Sequence, residues 1–205
     1  MLRIIGGNFR GRLLDFPPSA ITRPTSDRGR QAIFNILEHR FCMQDGTSIL
    51  KNAFVLDLFA GSGALGFESL SRGASFCIFV ENNPKALSVL NANRKSLNSL
   101  EKSVVLKQDA LNPFDLPSSL KNLKFDLIFI DPPYEKGYVL KTLEMCSKKK
   151  YFSPQTLFIA ELETTEEISK IRENFIILEE RIYGRAKFLF GKQKSSGSTH
   201  ASKNV

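Results

Sequence analysis

The residues best suited to chemistry are Asp131-Pro132-Pro133-Tyr134, directly after the apolar run Phe125-Asp126-Leu127-Ile128-Phe129-Ile130. Two successive prolines remove two backbone donors, fix φ and push the residue before them out of the helical region. A strand that runs into this tetrapeptide must stop, with Asp131 at its carboxyl end and Tyr134 beyond it. A carboxylate, carbonyls beside donor-less nitrogens and an aromatic face can together grip a flat group bearing an NH2. The bland alternative is a Pro-Pro loop with a solvated acid and a packed ring. The other strand ends decide between the two.

Val55-Leu56-Asp57-Leu58-Phe59-Ala60-Gly61-Ser62-Gly63-Ala64-Leu65-Gly66 reads as a strand, a glycine turn and a helix start. Gly61 and Gly63 permit a tight turn and close approach of the backbone to a ligand. Gly61-x-Gly63-x-x-Gly66 also matches the dinucleotide fingerprint, and Glu81 stands twenty residues beyond Gly61, so a nicotinamide cofactor is a rival reading. Asp57 weighs against it. A carboxylate just before the turn repels a pyrophosphate but accepts hydrogen bonds from a cationic amino-acid group. S-adenosylmethionine carries an ammonium and a sulfonium and no phosphate, so its charge suits the turn. Glu81, closing Phe76-Cys77-Ile78-Phe79-Val80-Glu81, can take both ribose hydroxyls as a bidentate acceptor. Asp109, in Lys107-Gln108-Asp109-Ala110, can accept from an adenine amino group. Asp57, Glu81, Asp109 and Asp131 each close a successive strand, which lines them along one edge of one sheet, where ligands bind in open α/β folds.

The elements that must position these acids alternate from residue 53 onward. Strand-like segments at 53–58, 76–81, 104–108, 123–130, 156–161, 175–182 and 186–190 are separated by helical segments at 64–72, 84–98, 138–148 and 166–174. That alternation predicts an α/β fold with a doubly wound, mostly parallel, seven-stranded sheet. Pro84 suits the first position of its helix. Tyr183-Gly184-Arg185 suits a hairpin turn between the last two strands. Before the sheet, residues 2–5 and 12–16 read as a short hairpin around Gly6-Gly7 and Gly11. A helix capped by Thr25 or Ser26 then runs to about Arg40, with Asp27 in its first turn and Ile33, Phe34, Leu37 and Phe41 as its apolar stripe. The expected organisation is a basic hairpin-and-helix extension over 1–50, a cofactor-binding domain over 51–191, and a disordered Lys/Ser/Gly-rich tail over 192–205.

The chain of 205 residues has an ordinary apolar fraction and a net charge of +8, which favours an anionic partner. The first thirty residues carry Arg3, Arg10, Arg12, Arg23, Arg28 and Arg30 against Asp15 and Asp27, and every base is Arg, the side chain suited to phosphate. Arg28 and Arg30 lie in the first turn of a helix, where the dipole disfavours cations. Stability alone would not put them there, whereas a phosphate-binding surface would. Cys42, Cys77 and Cys146 are odd in number and form no CxxC, so neither a disulfide framework nor a metal site is expected. His39 and His200 are poorly placed for catalysis. No apolar stretch reaches membrane-spanning length and the N-terminus lacks a secretory core, so a cytoplasmic protein with no membrane partner is expected, taken as a monomer by default.

Residues 55–66, Glu81, Asp109 and Asp131–Tyr134 resemble the ordered motifs of class I S-adenosylmethionine-dependent methyltransferases, with their Rossmann-like sheet; the Asp-Pro-Pro-Tyr form is that of the amino-methylating branch. Arg3-Ile4-Ile5-Gly6-Gly7, Arg10-Gly11-Arg12 and Arg23-Pro24-Thr25-x-Asp27-Arg28 resemble one family within it, the RsmD-type methyltransferases of bacterial 16S ribosomal RNA, which act on guanine N2. The likeness covers about residues 1–190. It implies cofactor contacts from Asp57, Phe59, Ala60, Gly61, Ser62, Gly63, Glu81, Asn82, Asp109 and Ala110, and catalysis by Asp131, Pro132, Pro133 and Tyr134. It implies RNA docking through Arg3, Arg10, Arg12, Arg23, Thr25, Arg28 and Arg30, with ribosomal RNA or a small-subunit precursor as partner. Adenine-N6 methylation of DNA or RNA, and a non-catalytic ribosome-assembly role on the same fold, are the alternative readings.

Overall fold

The computed structural model describes residues 2–17, 27–43, 45–134 and 137–195. Arg23, Thr25 and Ser26, the side chain of Asp27, and the tail from residue 196 on lie outside the described residues. The N-terminal hairpin pairs β1 (Leu2–Arg3) with β2 (Leu13–Leu14). Helix α1 (Asp27–Arg40) leads to β3 (Phe54–Leu58), α2 (Ala64–Ser71), β4 (Phe76–Glu81), α3 (Pro84–Ser96) and β5 (Ser103–Lys107). After these come β6 (Leu127–Ile130), α4 (Tyr138–Lys148), β7 (Leu157–Glu163), α5 (Ser169–Asn174), β8 (Phe175–Tyr183) and β9 (Ala186–Gln193).

The main sheet has seven strands in the order β5-β4-β3-β6-β7-β9-β8. Strands β3 to β7 pair in parallel, and β9 runs antiparallel to both β7 and β8. This is the doubly wound, mostly parallel sheet that the strand–helix alternation implies. Strand β6 starts at Leu127, later than the apolar run suggests. Leu123 N–H closes a turn onto Leu120, and the Asp126 carboxylate accepts Phe54 N–H at 2.8 Å.

Alternation along the strands divides the apolar side chains between two cores, as expected of a sheet covered on both faces. Val55, Cys77, Phe79, Phe129 and Ile159 pack on the face covered by α1, α2 and α3. Leu56, Ile78, Val80, Ile128, Ile130 and Phe158 pack on the other, under α4 and α5. Asp57, Glu81, Asp131 and Glu161 follow the first set at two-residue spacing and therefore share its face. Helix α1 is built into that core: Ile33, Phe34 and Leu37 are buried, with the Phe34 ring centroid 5.9 Å from that of Phe129.

The hairpin is stapled to α2 by a buried acid. Ile5 N–H and Gly6 N–H each donate to the Glu68 carboxylate at 2.8 Å. Glu68 is fully buried and is neutralised by Arg72 at 2.7 Å, which also reaches Glu38 at 2.9 Å. A Cβ on Gly7, whose φ is +74°, would lie 1.9 Å from Ser71 O, so only glycine lets the hairpin backbone settle against the end of α2.

Candidate active site

A cavity of about 390 Å³ opens at the carboxyl ends of β3, β4, β6 and β7. It lies where β3 meets β6 and the chain switches from one face of the sheet to the other, the usual ligand crevice of such folds. Its volume is in the range of small-molecule sites. Among the described residues, four carboxyl side chains line it, Asp57, Glu81, Asp131 and Glu161, with Arg30 as the one cation.

Asp57 is 2% exposed and accepts Gly66 N–H at 2.9 Å. Burial, with the charge of Glu81 added, pushes its pKa up to about 8 despite the opposing pull of that hydrogen bond. The contact needs glycine on the helix. A Cβ at position 66 would lie 2.3 Å from the Phe79 ring, so its absence lets α2 close onto β4 and aim an amide at Asp57.

Glu81 ties two loops together. One oxygen accepts Gly61 N–H at 2.8 Å, and the other accepts Asn82 N–H at 2.9 Å and Asn83 N–H at 2.8 Å. The turn that brings Gly61 to this carboxylate holds Phe59 at φ +61°, a conformation that costs a bulky residue on the order of 1 kcal/mol. Asn83 then caps α3, its side chain accepting from Lys85 N–H and Ala86 N–H, with Pro84 at the first position as expected. Further along α3, buried Asn93 donates to Ser62 O at 2.9 Å and to Asp15 O at 3.0 Å, and accepts Asp15 N–H at 2.8 Å. One amide thereby fixes the glycine turn and the N-terminal segment to each other, and that segment places Phe16 in the cavity wall.

At the other end of the cavity β6 stops at Ile130, and Asp131, Pro132, Pro133 and Tyr134 follow as cavity-lining residues. Tyr134 is 41% exposed, and its hydroxyl donates to Glu161 Oε1 at 2.5 Å. Glu161 in β7 is 7% exposed.

The structure brings Asp57, Phe59, Ala60, Gly61, Ser62, Glu81, Asn82 and Asp131–Tyr134 to one cavity, but does not bring Gly63, Asp109 or Ala110 to its wall. Gly63 turns inward to donate to Ala60 O at 2.7 Å. Asp109 stands two residues past β5 and closes its own loop, accepting Leu111 N–H at 3.0 Å and Asn112 Nδ2 at 2.7 Å. Ala110 is buried in the second core. Arg30 requires a correction: it is no part of a phosphate-docking surface. It is fully buried, donates to Arg3 O at 2.8 Å and lines the cavity. It stands three and four residues before Ile33 and Phe34 and so shares their inward stripe. Arg3, Arg10, Arg12 and Arg28 are exposed, while Arg23 and Thr25 lie outside the described residues. Sequence reasoning missed Phe16, Arg30 as a cavity residue, Asn93 and Glu161. Glu161 carried the same signal as the others, an acid at the end of an apolar parallel strand.

Among the described residues no helix is long and apolar enough to cross a membrane, and no cluster of His, Cys, Asp and Glu suits a metal ion.

Residues 2–192 match the family described as conserved hypothetical protein 95. The chain is similar to ribosomal RNA small subunit methyltransferase D of Escherichia coli K12, 29% identical over 200 residues that cover 98% of this chain and 94% of that one. It is 32% identical to the protein of the same name from Buchnera aphidicola of Acyrthosiphon pisum over 179 residues, 87% of this chain and 86% of that one. A solved structure described as a putative methyltransferase from Escherichia coli superposes with a TM-score of 0.77 at 29% identity, covering 94% of this chain and 98% of the other.

Proposed function

The chain belongs to the conserved hypothetical protein 95 family, that of the RsmD-type methyltransferases, and from that premise we propose that it methylates the exocyclic N2 of a guanine in small-subunit ribosomal RNA. The observation that carries the reading is the joining of Asp57, Glu81 and Asp131–Tyr134 in one acid-rich cavity. Relatives that span nearly the whole chain and are named as ribosomal RNA methyltransferases support it.

The donor set fits S-adenosylmethionine. Among the described residues four carboxyl side chains and one guanidinium line the cavity, a balance that favours a cationic ligand over a pyrophosphate and weighs against a nicotinamide cofactor. A Cβ on Gly61 would meet nothing nearer than Phe59 O at 3.9 Å, so this backbone edge is open to a ligand. Asp57 and Glu81 would hold the amino-acid and ribose parts, with Phe59, Ala60, Ser62 and Asn82 around them. When bound, S-adenosylmethionine supplies a methyl group on a cationic sulfur.

The chain's own residues do the rest. The guanine amine is a poor nucleophile because its lone pair is delocalised into the ring. Asp131 and the Pro132 carbonyl accept its two hydrogens, with Pro133 fixing the loop, and so draw the lone pair out of the ring. Tyr134 stacks on a base that has left its helix. Positioning supplies most of the rate, and the amine's proton can leave after transfer, so no histidine is needed.

The decisive experiment incubates the protein with methyl-labelled S-adenosylmethionine and small-subunit RNA, naked or in a precursor particle, and maps the label. Guanine N2 is the expected position. Label on adenine N6, or none on either substrate, overturns the reading in favour of a DNA- or RNA-adenine enzyme or a non-catalytic assembly protein. We take the enzyme to act as a cytoplasmic monomer, docking RNA through exposed Arg3, Arg10, Arg12 and Arg28. Arg10→Ala and Arg28→Ala are each expected to weaken RNA binding and to lower the slope of log affinity against log salt by about one. An unchanged slope removes that residue from the contact.

A further inference from the structure

We propose that Glu161 is a specificity-determining residue that accepts the ring N1–H of the target base beside Asp131, making the site selective for guanine. The inference rests on the methyl-transfer reading above and adds to it the residue that chooses the base. Strands β6 and β7 pair in parallel with Ile130 opposite Ala160, so Asp131 and Glu161 are the next residues in register. Adjacent strands lie about 4.8 Å apart, which sets the two carboxyl groups side by side on one face at one sheet edge. Both line the cavity, and both also border a small void behind it with Ile33, Phe129 and Phe188.

Glu161 is costly where it stands. It is 7% exposed between Ala160 and Leu162, both buried. Burying a carboxylate carries a desolvation penalty, so packing alone would favour an apolar residue here. Its bond from Tyr134 Oη goes to Oε1. That bond joins ring and carboxylate, so that a base stacked on the ring would bring its edge toward the carboxylate.

Two neighbouring acceptors select among bases by elementary chemistry. Only guanine presents an exocyclic amine next to a ring N–H. In adenine and cytosine the amine is flanked by a ring nitrogen lone pair, which a carboxylate repels, and uracil has no amine. The third position on the guanine edge is a carbonyl oxygen. Arg30, fully buried in the same wall and able only to donate, matches it. A site that accepts two adjacent N–H groups favours a base presenting both over an analogue that turns a lone pair toward a carboxylate.

The test uses the full chain and a small-subunit RNA joined from synthetic pieces, with guanine or 2-aminopurine at the mapped target. 2-Aminopurine keeps the amine but lacks N1–H and the carbonyl. For the wild type, kcat/KM for guanine is expected to exceed that for 2-aminopurine by about 10²-fold or more. Glu161→Gln is expected to bring that ratio below about tenfold, mainly by loss on guanine. Glu161→Asp is expected to keep the preference at a lower rate. Tyr134→Phe removes the same hydrogen bond and is expected to leave the ratio close to wild type. S-adenosylmethionine affinity reports that each variant is folded, and a Glu161→Gln protein that fails this control leaves the Glu161→Asp ratio as the arbiter. An unchanged ratio in Glu161→Gln, a lost preference in Glu161→Asp, or equal loss in Tyr134→Phe overturns the proposal, the last by showing that Glu161 acts only by placing the ring. A wild type that transfers no methyl group to guanine instead overturns the methyl-transfer reading.

Discussion

Asp131→Ala is expected to lower methyl transfer by about 10³-fold or more while changing S-adenosylmethionine affinity by less than about threefold. The split follows from where the carboxylate stands. Asp131 follows the last residue of β6, whereas Gly66, Gly61 and the loop to α3 are held by Asp57 and Glu81 on β3 and β4. Removing Asp131 therefore leaves those loops tied. On the proposed chemistry the loss is of an acceptor whose hold on the amine tightens as positive charge develops on the nitrogen, so it is expected to fall on kcat more than on KM. Asp131→Asn keeps one acceptor oxygen without the charge and is expected to lie between, with a loss of about 10- to 100-fold. Single-turnover transfer to small-subunit RNA, alongside titration calorimetry with S-adenosylmethionine, measures both quantities. Wild-type turnover in Asp131→Ala would remove the carboxylate from the chemistry.

The parts of the site legible in the sequence are those whose placement depends on one strand and the turn after it. Asp57, Glu81 and Asp131 fall at strand ends that apolar runs and breakers mark locally, and parallel strands must bring such ends to one edge. Asp109 obeys the same rule but stands off the cavity wall, because a carboxylate past the last ladder bond can close its own loop on Leu111 and Asn112. Arg30 was misread by giving charge precedence over period. Its spacing to Ile33, Phe34 and Leu37 already put it on the buried stripe, and a guanidinium is stable there only among acceptors, here including Arg3 O and a carboxylate-lined wall. Glu68 and Asn93 were out of reach for another reason. Beyond the Arg72–Glu68 pair on one helix, their partners are backbone groups between 31 and 78 residues away, and no local pattern encodes such distances. The hairpin rests Gly6-Gly7 on α2, while the Asn93–Asp15 contacts set Phe16 in the cavity wall.

Asp57 gives the second large expected effect, and its sign is set by burial. A carboxyl with a pKa near 8 in the folded chain and near 4 when unfolded keeps a proton on folding throughout that interval. The unfolded state then binds fewer protons, so this group's contribution to stability falls as pH rises from about 4 to about 8 and is constant outside the window. The limiting slope for one proton is about 1.4 kcal/mol per pH unit. Asp57→Asn does not titrate and keeps an oxygen to accept Gly66 N–H. Its melting temperature is expected to match wild type near pH 4.5 and to exceed it by several degrees at pH 8. Ligand binding runs the other way. With the cofactor's ammonium beside Asp57 as proposed, the carboxylate is stabilised and S-adenosylmethionine binding is expected to expel the proton. Affinity is expected to rise toward tenfold per pH unit between pH 6 and 7.5, with close to one proton released in calorimetry across buffers of different ionisation enthalpy. Asp57→Asn loses both the proton release and most of the affinity, so the substitution that stabilises the empty protein disables the loaded one. Wild-type binding that is flat with pH would place the ligand's cation away from Asp57. The buried acid is thus costly to the fold at neutral pH, and on the proposed reading it gains its negative charge as the cofactor's cation arrives.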